Sequence, residues 1–510
     1  MLSGISIRVV LLKSFYTDPK LLAAWVVAAV FQIGGCATLG QSTEEPKIAE
    51  CRALFAQVDK AVDRAAVRDH GPVQISGFPY LRVDRLLASF RDEVDEPEQF
   101  RTWTKSLAAL DAEARTFELR NLPAGLRGAF GDHLTDRLDT CRERLTANDL
   151  STEEGKAALR RAAVVPDDYV TWWRIAGLYP ITALFVSHGV EKWHREAQAT
   201  FAVPLEQLPV AGTLTRWRAP PGTPLDTRQV EALVEDTKDT LGIPRPDADA
   251  MQRLFDTFAP TWEVDVVDDN DRIGRIGRPL AGGVPSVDTD APTMYRLVSY
   301  ARLDGRVLLQ LNYIIWFPGR PGDDIYAGRL DGLIWRVTLG PDGKPIIYDS
   351  IHNCGCYHQF FPTPALTLRG DLPRHYFEPP LLPQPAPESD RPVVRIAHGT
   401  HFIERVYESA GETNGEPLAW QDYDTLRSLP SGDGYRSLFG PYGIVPGSER
   451  GERFILWPMG IRSPGAMRQW GRHAVAFVGR RHFDDPFLIS TVFSEVEGGA
   501  TRTETKGQWQ

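Results

Sequence analysis

The chain has 510 residues, of which 42% are hydrophobic and 24% are charged, and its formal net charge is -10 at pH 7. This composition is typical of a folded protein with two to four domains or one large composite domain. An acidic chain that lacks a long basic run is not expected to have nucleic acid as its main partner.

The first 35 residues have the organisation of a secretory signal segment. Arg8, Lys13 and Lys20 precede an apolar run at residues 21–33. That run is shorter than the roughly 20 residues that a membrane-spanning helix needs, and it fits the apolar region of a signal peptide. The sequence therefore predicts that the rest of the chain is exported.

The residues that follow the apolar run are Ile33-Gly34-Gly35-Cys36, and this motif resembles the lipobox of bacterial lipoproteins. The resemblance implies that residues 1–35 are removed and that Cys36 becomes a lipidated N-terminus carrying acyl chains such as palmitate. The next residue is alanine, not aspartate, which in Gram-negative lipoproteins implies export to the outer membrane, with the body facing the periplasm or the cell surface. The alternative is an uncleaved N-terminal anchor. Both interpretations place the body in the cell envelope, and the chain as a whole resembles a Gram-negative envelope lipoprotein.

Residues 36–47 are polar and are predicted to form a short tether, and residues 48–260 are predicted to be mainly helical. Apolar residues recur at helical spacing from residue 48, and two further helices are predicted at 104–119 and 134–147. Cys51 and Cys141 fall on the apolar faces of two of these helices. In an oxidising compartment a structural disulfide between them is favoured over two buried free thiols.

Residues 169–194 form an aromatic-rich apolar segment that Arg174, Gly177 and Pro180 interrupt. One interpretation is a helix that lies on the membrane beside the lipid anchor. The other, which the usual burial of aromatic stripes favours, is a kinked core helix.

Residues 261–495 are predicted to form a β-rich domain, because apolar residues begin to alternate and turns become frequent. The expected fold class is therefore α+β, with a helical N-terminal region followed by a mainly antiparallel β-rich domain. Strands are expected at residues 294–301, 307–317, 333–339 and 346–351, and later at 454–457, 474–478 and 488–493. Residues 496–510 are expected to be a flexible tail.

The densest group of chemically versatile side chains is the motif HNCGCYH at residues 352–358. Thiolate and imidazole ligands together suit zinc or copper, so we consider a metal site. An extended strand cannot bring all four side chains to one ion, so other donors would complete the site, of which His401 is the preferred one. The candidate metal ligands are His352, Cys354, Cys356, His358 and His401. A Cys354–Cys356 disulfide and a pair of inert packed thiols remain alternatives.

Two other groups of residues carry weaker signals. Ser350 and His352 lie on one strand face but have no identifiable third partner for nucleophilic catalysis. The acidic residues between Asp265 and Asp271 lack the spacing of a calcium loop, and a solvated acidic turn is the preferred interpretation. We therefore expect an envelope lipoprotein with a binding or scaffolding role towards a protein or envelope partner. The alternative is a metal- or thiol-dependent enzyme centred on the motif.

Overall fold

The computed structural model of the protein describes residues 45–278, 283–372, 377–408, 414–432 and 434–496. The predicted signal segment, Cys36 and most of its tether, and residues 497–510 of the predicted tail lie outside these ranges. The chain divides into a unit of residues Met1–Ala49 and a compact unit of residues Glu50–Gln510, which includes nearly all of the helical region and the whole β-rich region.

Helices dominate the N-terminal half of the described chain and strands dominate the rest, which confirms the predicted α+β class. The α-helices are α1 (Pro46–Ala65), α2 (Arg85–Ser89), α3 (Pro97–Asn121), α4 (Ala124–Gly128), α5 (Leu134–Asp149), α6 (Glu153–Ala162), α7 (Thr171–Ala176), α8 (Tyr179–Ala202), α9 (Thr227–Asp236), α10 (Ala248–Phe258), α11 (Arg453–Leu456) and α12 (Leu488–Val492). The strands are β1 (Val73–Ile75), β2 (Phe78–Val83), β3 (Thr213–Arg218), β4 (Thr261–Val266), β5 (Arg275–Gly277), β6 (Ser286–Asp288), β7 (Thr293–Leu303), β8 (Arg306–Arg320), β9 (Gly328–Leu339), β10 (Pro345–His352), β11 (Gln359–Pro362), β12 (Leu366–Leu368), β13 (Val393–Ile396), β14 (Ile403–Tyr407), β15 (Glu416–Pro417), β16 (Ala419–Asp422), β17 (Leu429–Ser431), β18 (Gly434–Arg436) and β19 (Phe493–Glu495).

The helical region contains the helices that the apolar periodicity predicts. The helices expected at residues 104–119 and 134–147 are confirmed as α3 and α5, and the helix expected from residue 48 is confirmed as α1. A disulfide joins Cys51 of α1 to Cys141 of α5, which is the pair expected from the sequence. This bond links the two helices through cysteines that are 90 residues apart along the chain.

A six-stranded sheet with the order β11-β10-β9-β8-β7-β16 lies at the centre of the β-rich region. Strands β7 to β11 form an antiparallel meander, and β16 pairs in parallel with β7. The strands expected at 294–301, 307–317, 333–339 and 346–351 are confirmed as β7 to β10. The turn between β9 and β10 contains Gly343 at a φ of 74°, a conformation that glycine adopts without strain.

The central sheet is buried on both faces. On one face it packs against a second sheet with the order β14-β13-β4-β3-β15, and Trp217 and Trp262 of that sheet share a core with Tyr313 and Trp335. The other face is covered by the C-terminal part of the chain, from Tyr423 onwards. Burial on both faces explains why β8 is a nearly continuous apolar run rather than an alternating one.

Several segments differ from their predicted conformation. Residues 454–457 and 488–493 were expected to be strands but lie mainly in α11 and α12, and residues 474–478 contain an isolated bridge at Ala474 instead of a strand. Short apolar runs indicate burial but do not distinguish a strand from a short helix or a buried coil.

Candidate functional site

The HNCGCYH motif forms the loop between β10 and β11, at the strand end where the sequence analysis located it. The amide of Gly355 donates to the carbonyl of His352 at 2.7 Å, and the amide of His352 donates to the carbonyl of Cys356 at 3.0 Å. Gly355 has a φ of 93°, which glycine tolerates. This tight turn brings the cysteines together, so that the Cys356 amide lies 3.4 Å from Cys354 Sγ.

Segments distant in the sequence hold this loop in place. The Asn353 amide donates to the carbonyl of Gly332 at 2.9 Å, and its Nδ2 donates to the carbonyl of Ile315 at 3.1 Å. The amide of Arg468 donates to the Asn353 carbonyl at 2.9 Å. The loop is thus fixed between strands β8 and β9 on one side and the C-terminal part of the chain on the other.

The five predicted metal ligands lie in three separate groups: His358 beside Asp349, His352 and His401 on the two oxygens of Asp331, and Cys354 beside Cys356. Within the described part of the chain, no three His, Cys, Asp or Glu side chains are placed to hold a metal ion. Zinc or copper at this motif stays a prediction.

Asp331 on β9 is the centre of a buried charged cluster. Its Oδ1 lies 3.2 Å from His352 Nδ1 and 3.4 Å from Arg450 Nη2, and its Oδ2 lies 2.9 Å from His401 Nδ1. The other ring nitrogen of His401 lies 3.4 Å from Asp271 Oδ1. We call Asp331, His352, His401, Asp271 and Arg450 the Asp331 cluster.

The charges of the Asp331 cluster follow from these contacts. Burial raises the pKa of Asp331, but the Arg450 guanidinium and the two histidines outweigh burial and hold that pKa well below its ordinary value. Burial lowers the pKa of His401, but hydrogen bonds to two carboxylates outweigh it and raise that pKa above its ordinary value. Burial dominates at His352 and lowers its pKa. A carboxylate therefore lies between one neutral histidine and one histidine that holds its proton to higher pH.

The Asp331 cluster is closed to solvent. Each of its five side chains belongs to a residue that is at most 2% exposed, so a substrate has no access to them. They join β9, the motif loop, the turn after β4, the turn before β14 and the C-terminal part of the chain. We interpret the cluster as a structural device that fixes these five segments in one arrangement.

The acidic segment at Asp265–Asp271 is not the solvated turn that the sequence indicated. Asp268 and Asp269 are exposed, but Asp265 and Asp271 are each 2% exposed. Asp265 accepts hydrogen bonds from the amides of residues 211 and 212, at 2.7 and 2.8 Å. Asp271 accepts hydrogen bonds from the amides of residues 267 and 399, at 2.9 and 2.6 Å. Backbone amides therefore satisfy both buried carboxylates, and the local sequence does not reveal these partners.

His358 belongs to a different buried polar group. Its Nε2 lies 2.9 Å from Asp349 Oδ2, and Arg336 donates two hydrogen bonds to the same carboxylate at 2.8 and 2.6 Å. Arg336 and Asp349 face each other on neighbouring strands β9 and β10. The Nε2 of His358 is thus held by Asp349, whereas its Nδ1 is buried and has no hydrogen-bond partner among the described residues.

The two cysteines are free thiols of unequal accessibility. Cys354 is 3% exposed, and Cys356 is half-buried. Burial raises the pKa of Cys354, but the hydrogen bond from Cys356 and the charge of Arg450 outweigh it, so the pKa of Cys354 is lowered. The hydrogen bond to Cys354, followed by burial, raises the pKa of Cys356 well above its ordinary value. Cys354 is thus the buried member of the pair and loses its proton more easily, and Cys356 is the more accessible member.

A second candidate site is an apolar surface on α7, α8 and the segment around α11. The large side chains that form it are 37–76% exposed, and they are Trp172, Ile175, Leu178, Ile181, Leu184, Phe185, Phe454, Ile455 and Trp457. Soluble domains rarely expose so many large apolar side chains on adjoining elements, and such surfaces mark interaction sites. We call these nine residues the apolar surface.

The two parts of the apolar surface are joined by close backbone packing. Gly177, between α7 and α8, lies so near Pro458 that a Cβ at position 177 would be 2.4 Å from the proline Cβ. The amide of Val170 donates to the carbonyl of Gly460 at 2.7 Å, and Arg174 Nε donates to the carbonyl of Met459 at 2.8 Å. These contacts hold α7 on the segment 457–460 and leave the apolar side chains of both elements exposed.

The aromatic segment at residues 169–194 is kinked, but it is not the core helix that the sequence analysis favoured. The kink lies at Gly177 and Leu178, which separate α7 from α8. Of the 24 residues of α8, Ala183 and Phe201 are buried. The expectation that aromatic stripes pack inside is therefore wrong for Trp172 and Phe185, each 76% exposed.

The charges around the apolar surface are basic. Residues 169–190 contain no aspartate or glutamate, and Arg174 is their one arginine. Residues 453–462 begin and end with arginine and contain no acidic residue. The guanidinium of Arg462 lies over the rings of Tyr442 and Trp173, at 4.2 and 5.6 Å from their centroids. Aromatic side chains with arginines among them are typical of proteins at a membrane–water interface.

None of the helices in the described ranges is long and apolar enough to cross a membrane.

No family model matches this chain, and no curated protein or solved structure matches it significantly.

Proposed function

We propose that the protein is a lipid-anchored protein of the cell envelope whose folded body rests on a membrane surface, where it has a binding or scaffolding role. The observation that carries the proposal is the apolar surface, because its exposed aromatic and aliphatic side chains carry a large free-energy cost in water. Arg453 and Arg462, which are half-buried at its edge, suit anionic lipid headgroups.

The predicted lipid on Cys36 supports the same conclusion. Acyl chains on Cys36 would anchor the mature N-terminus in the bilayer, and the apolar surface would give the folded body a second contact with it. A lipid anchor would also keep the body concentrated at the bilayer, where a surface of modest affinity is sufficient. The Cys51–Cys141 disulfide is consistent with export, since disulfides persist in oxidising compartments. We place the protein at the outer membrane.

We expect the double variant Ile181→Glu, Phe185→Glu to bind vesicles about 100-fold more weakly than the parent, because each change removes a large apolar contact and adds a charge that anionic lipids repel. The protein for this test is the body from residue 37, without the lipid, and the probe is vesicles of phosphatidylethanolamine and phosphatidylglycerol. The measurement is co-sedimentation over a range of lipid concentrations.

The matched control for that test is Val210→Glu, Val267→Glu, which adds two charges at exposed apolar residues away from the apolar surface, where exposures are 48% and 52%. The control should bind vesicles like the parent. Equal binding by both double variants would contradict the membrane proposal. Lipidation is tested separately by mass spectrometry of the exported protein, where Cys36→Ala should remove the added acyl mass.

A second candidate function is a thiol-dependent activity at Cys354 and Cys356, which is favoured by the adjacency of the two free thiols in one tight turn. Such a pair can form an intramolecular disulfide by losing two electrons and two protons to a disulfide oxidant, and an external thiol can reopen it. Cys356 would be the point of exchange, because this residue is half-buried whereas Cys354 is buried.

We expect the native protein, with its Cys51–Cys141 disulfide intact, to contain two free thiols per chain. Diamide treatment should remove both and lower the mass of the intact chain by about 2 Da. The variant Cys356→Ser should keep one free thiol and show no such loss of mass. Elemental analysis of the same samples tests the metal hypothesis. One equivalent of zinc or copper that is absent from a Cys354→Ser, Cys356→Ser variant would favour a metal site and contradict the free-dithiol interpretation.

A further inference from the structure

A large cleft lies between the helical region and the edge of the central sheet, away from both the motif loop and the apolar surface. Its volume is about 850 Å³. Strand β7 forms one side of it, through residues 296–300, and the walls are contributed by α2, α3, α10 and the C-terminal part of the chain. Clefts of this size are typical of ligand sites.

The edge of β7 that faces this cleft is only partly paired. Strand β16 pairs with β7 from Thr293 to Arg296 and then ends. Further along β7, the amide of Arg302 donates to the carbonyl of Pro486 at 2.6 Å. Between these two points, the outer edge of β7 runs along the cleft.

The direction of the backbone groups on this edge follows from the pairing. The amide of Ala419 donates to the carbonyl of Pro292, so even-numbered residues of this chain segment direct their amide and carbonyl groups away from β8. The outward bond of Arg302 agrees with this alternation. Val298 and Tyr300 therefore direct their backbone groups into the cleft, and among the described residues these groups have no hydrogen-bonding partner.

We propose that the cleft binds an extended polypeptide segment of a partner protein, which adds to β7 as a strand in line with β16 and pairs with Val298 and Tyr300. An extended chain presents amide and carbonyl groups at a two-residue repeat of about 6.6 Å, which matches the spacing of these two residues. A strand edge with open backbone groups is the standard template for such addition.

The walls of the cleft indicate which segment it would take. Leu110, Met251 and Trp470 are partly buried apolar side chains on three different walls. The charged groups in the cleft are largely paired with one another, as in Arg296–Asp422 at 2.6 Å. The cleft therefore favours a segment with apolar side chains at alternate positions and no net charge. Walls on both sides admit one extended chain, which argues against the folded edge of a second copy.

The experiment uses the exported full-length protein and a phage-displayed library of random heptapeptides as the probe. We expect the selected peptides to carry apolar residues at alternate positions. We expect Val298→Pro to weaken their binding at least tenfold, because proline has no amide hydrogen to donate to the peptide. The amide of Val298 points away from β8, so the substitution breaks no hydrogen bond to β8. Such a strand position tolerates proline. The matched control is Val298→Thr, which keeps the amide and should bind like the parent.

Hydrogen exchange provides an independent readout. The amides of Val298 and Tyr300 should exchange fast in the free protein and at least tenfold more slowly with a selected peptide, while those of Leu297 and Ser299 should not change.

If Val298→Pro does not fold, Leu110→Trp fills the cleft from another wall and should also abolish peptide binding. The proposal is overturned by three outcomes: no enriched peptide, equal binding by the Val298→Pro or Leu110→Trp variant, or amides already protected in the free protein. The last would mean that residues 497–510 or a second copy occupies the edge.

Discussion

Replacing Asp331 with asparagine is expected to lower the free energy of unfolding by about 3–5 kcal/mol near neutral pH, which is the usual cost of removing one partner from a buried ion pair. Asparagine keeps the size of the side chain but removes the charge that Arg450 and His401 share. Both would then be buried beside a neutral amide. Urea unfolding followed by tryptophan fluorescence measures the change.

The pH dependence of that loss has a defined sign. The pKa of Asp331 is lowered in the folded state, so its stabilisation is complete above the unfolded pKa of about 3.9 and disappears as the pH falls through the lower folded value. The pKa of His401 is raised, so its stabilisation is complete below about pH 6.5 and disappears as the pH rises through the higher folded value. The difference between parent and variant should therefore be largest between about pH 4 and 6.5.

The control for this prediction is Asp323→Asn, an exposed carboxylate in the loop between β8 and β9. It should change the free energy of unfolding by less than about 0.5 kcal/mol. A loss of less than 1 kcal/mol in the Asp331 variant, or a difference that grows below pH 4, would contradict a structural role for the Asp331 cluster.

The location of the motif loop could be predicted from the sequence, but its partners could not. Alternating apolar residues predict strands at 333–339 and 346–351, and the second of these ends where the motif begins, as β10 does in the structure. The partner of His352 is Asp331 of β9, and the other partners of Asp331 are His401 and Arg450. Such long-range contacts depend on how sheets and loops pack, which local periodicity does not encode.

The same limit explains the errors in the C-terminal part of the chain. Residues 454–457 and 488–493 are apolar, and the sequence analysis interpreted them as strands of a β-rich domain. In the structure one forms an exposed short helix and the other a short helix that covers the central sheet. Composition alone could not separate these two outcomes, because both segments are short apolar runs. One of them adds to the core and the other adds to the apolar surface.

The aromatic segment at residues 169–194 shows why burial is harder to predict than helicity. Its apolar spacing is compatible both with a core helix and with a helix on a membrane. The decisive contact is the approach of Gly177 to Pro458, which lies about 280 residues further along the chain. This contact fixes α7 in place and leaves Trp172 and Ile175 exposed. Association with a membrane would remove these apolar side chains from water, because the protein core does not cover them.

Removing the disulfide with the double variant Cys51→Ala, Cys141→Ala is expected to lower the free energy of unfolding by about 4–5 kcal/mol. The bond closes a loop of 90 residues, and the entropy that such a cross-link removes from the unfolded chain grows with the logarithm of loop length. The Arg52–Asp149 ion pair at 2.6 Å is a further link between α1 and α5, but a partly exposed pair contributes little, so the loss should appear as a lower urea midpoint.

Reductant provides the internal control. Dithiothreitol should shift the unfolding midpoint of the parent to that of the double variant and should leave the variant unchanged, since the remaining cysteines are already free thiols. A parent whose midpoint does not respond to reductant would contradict a stabilising disulfide. The result also bears on location: a chain that needs this bond to withstand unfolding is fully stable only in an oxidising compartment, which is where the lipobox resemblance implies that it is exported.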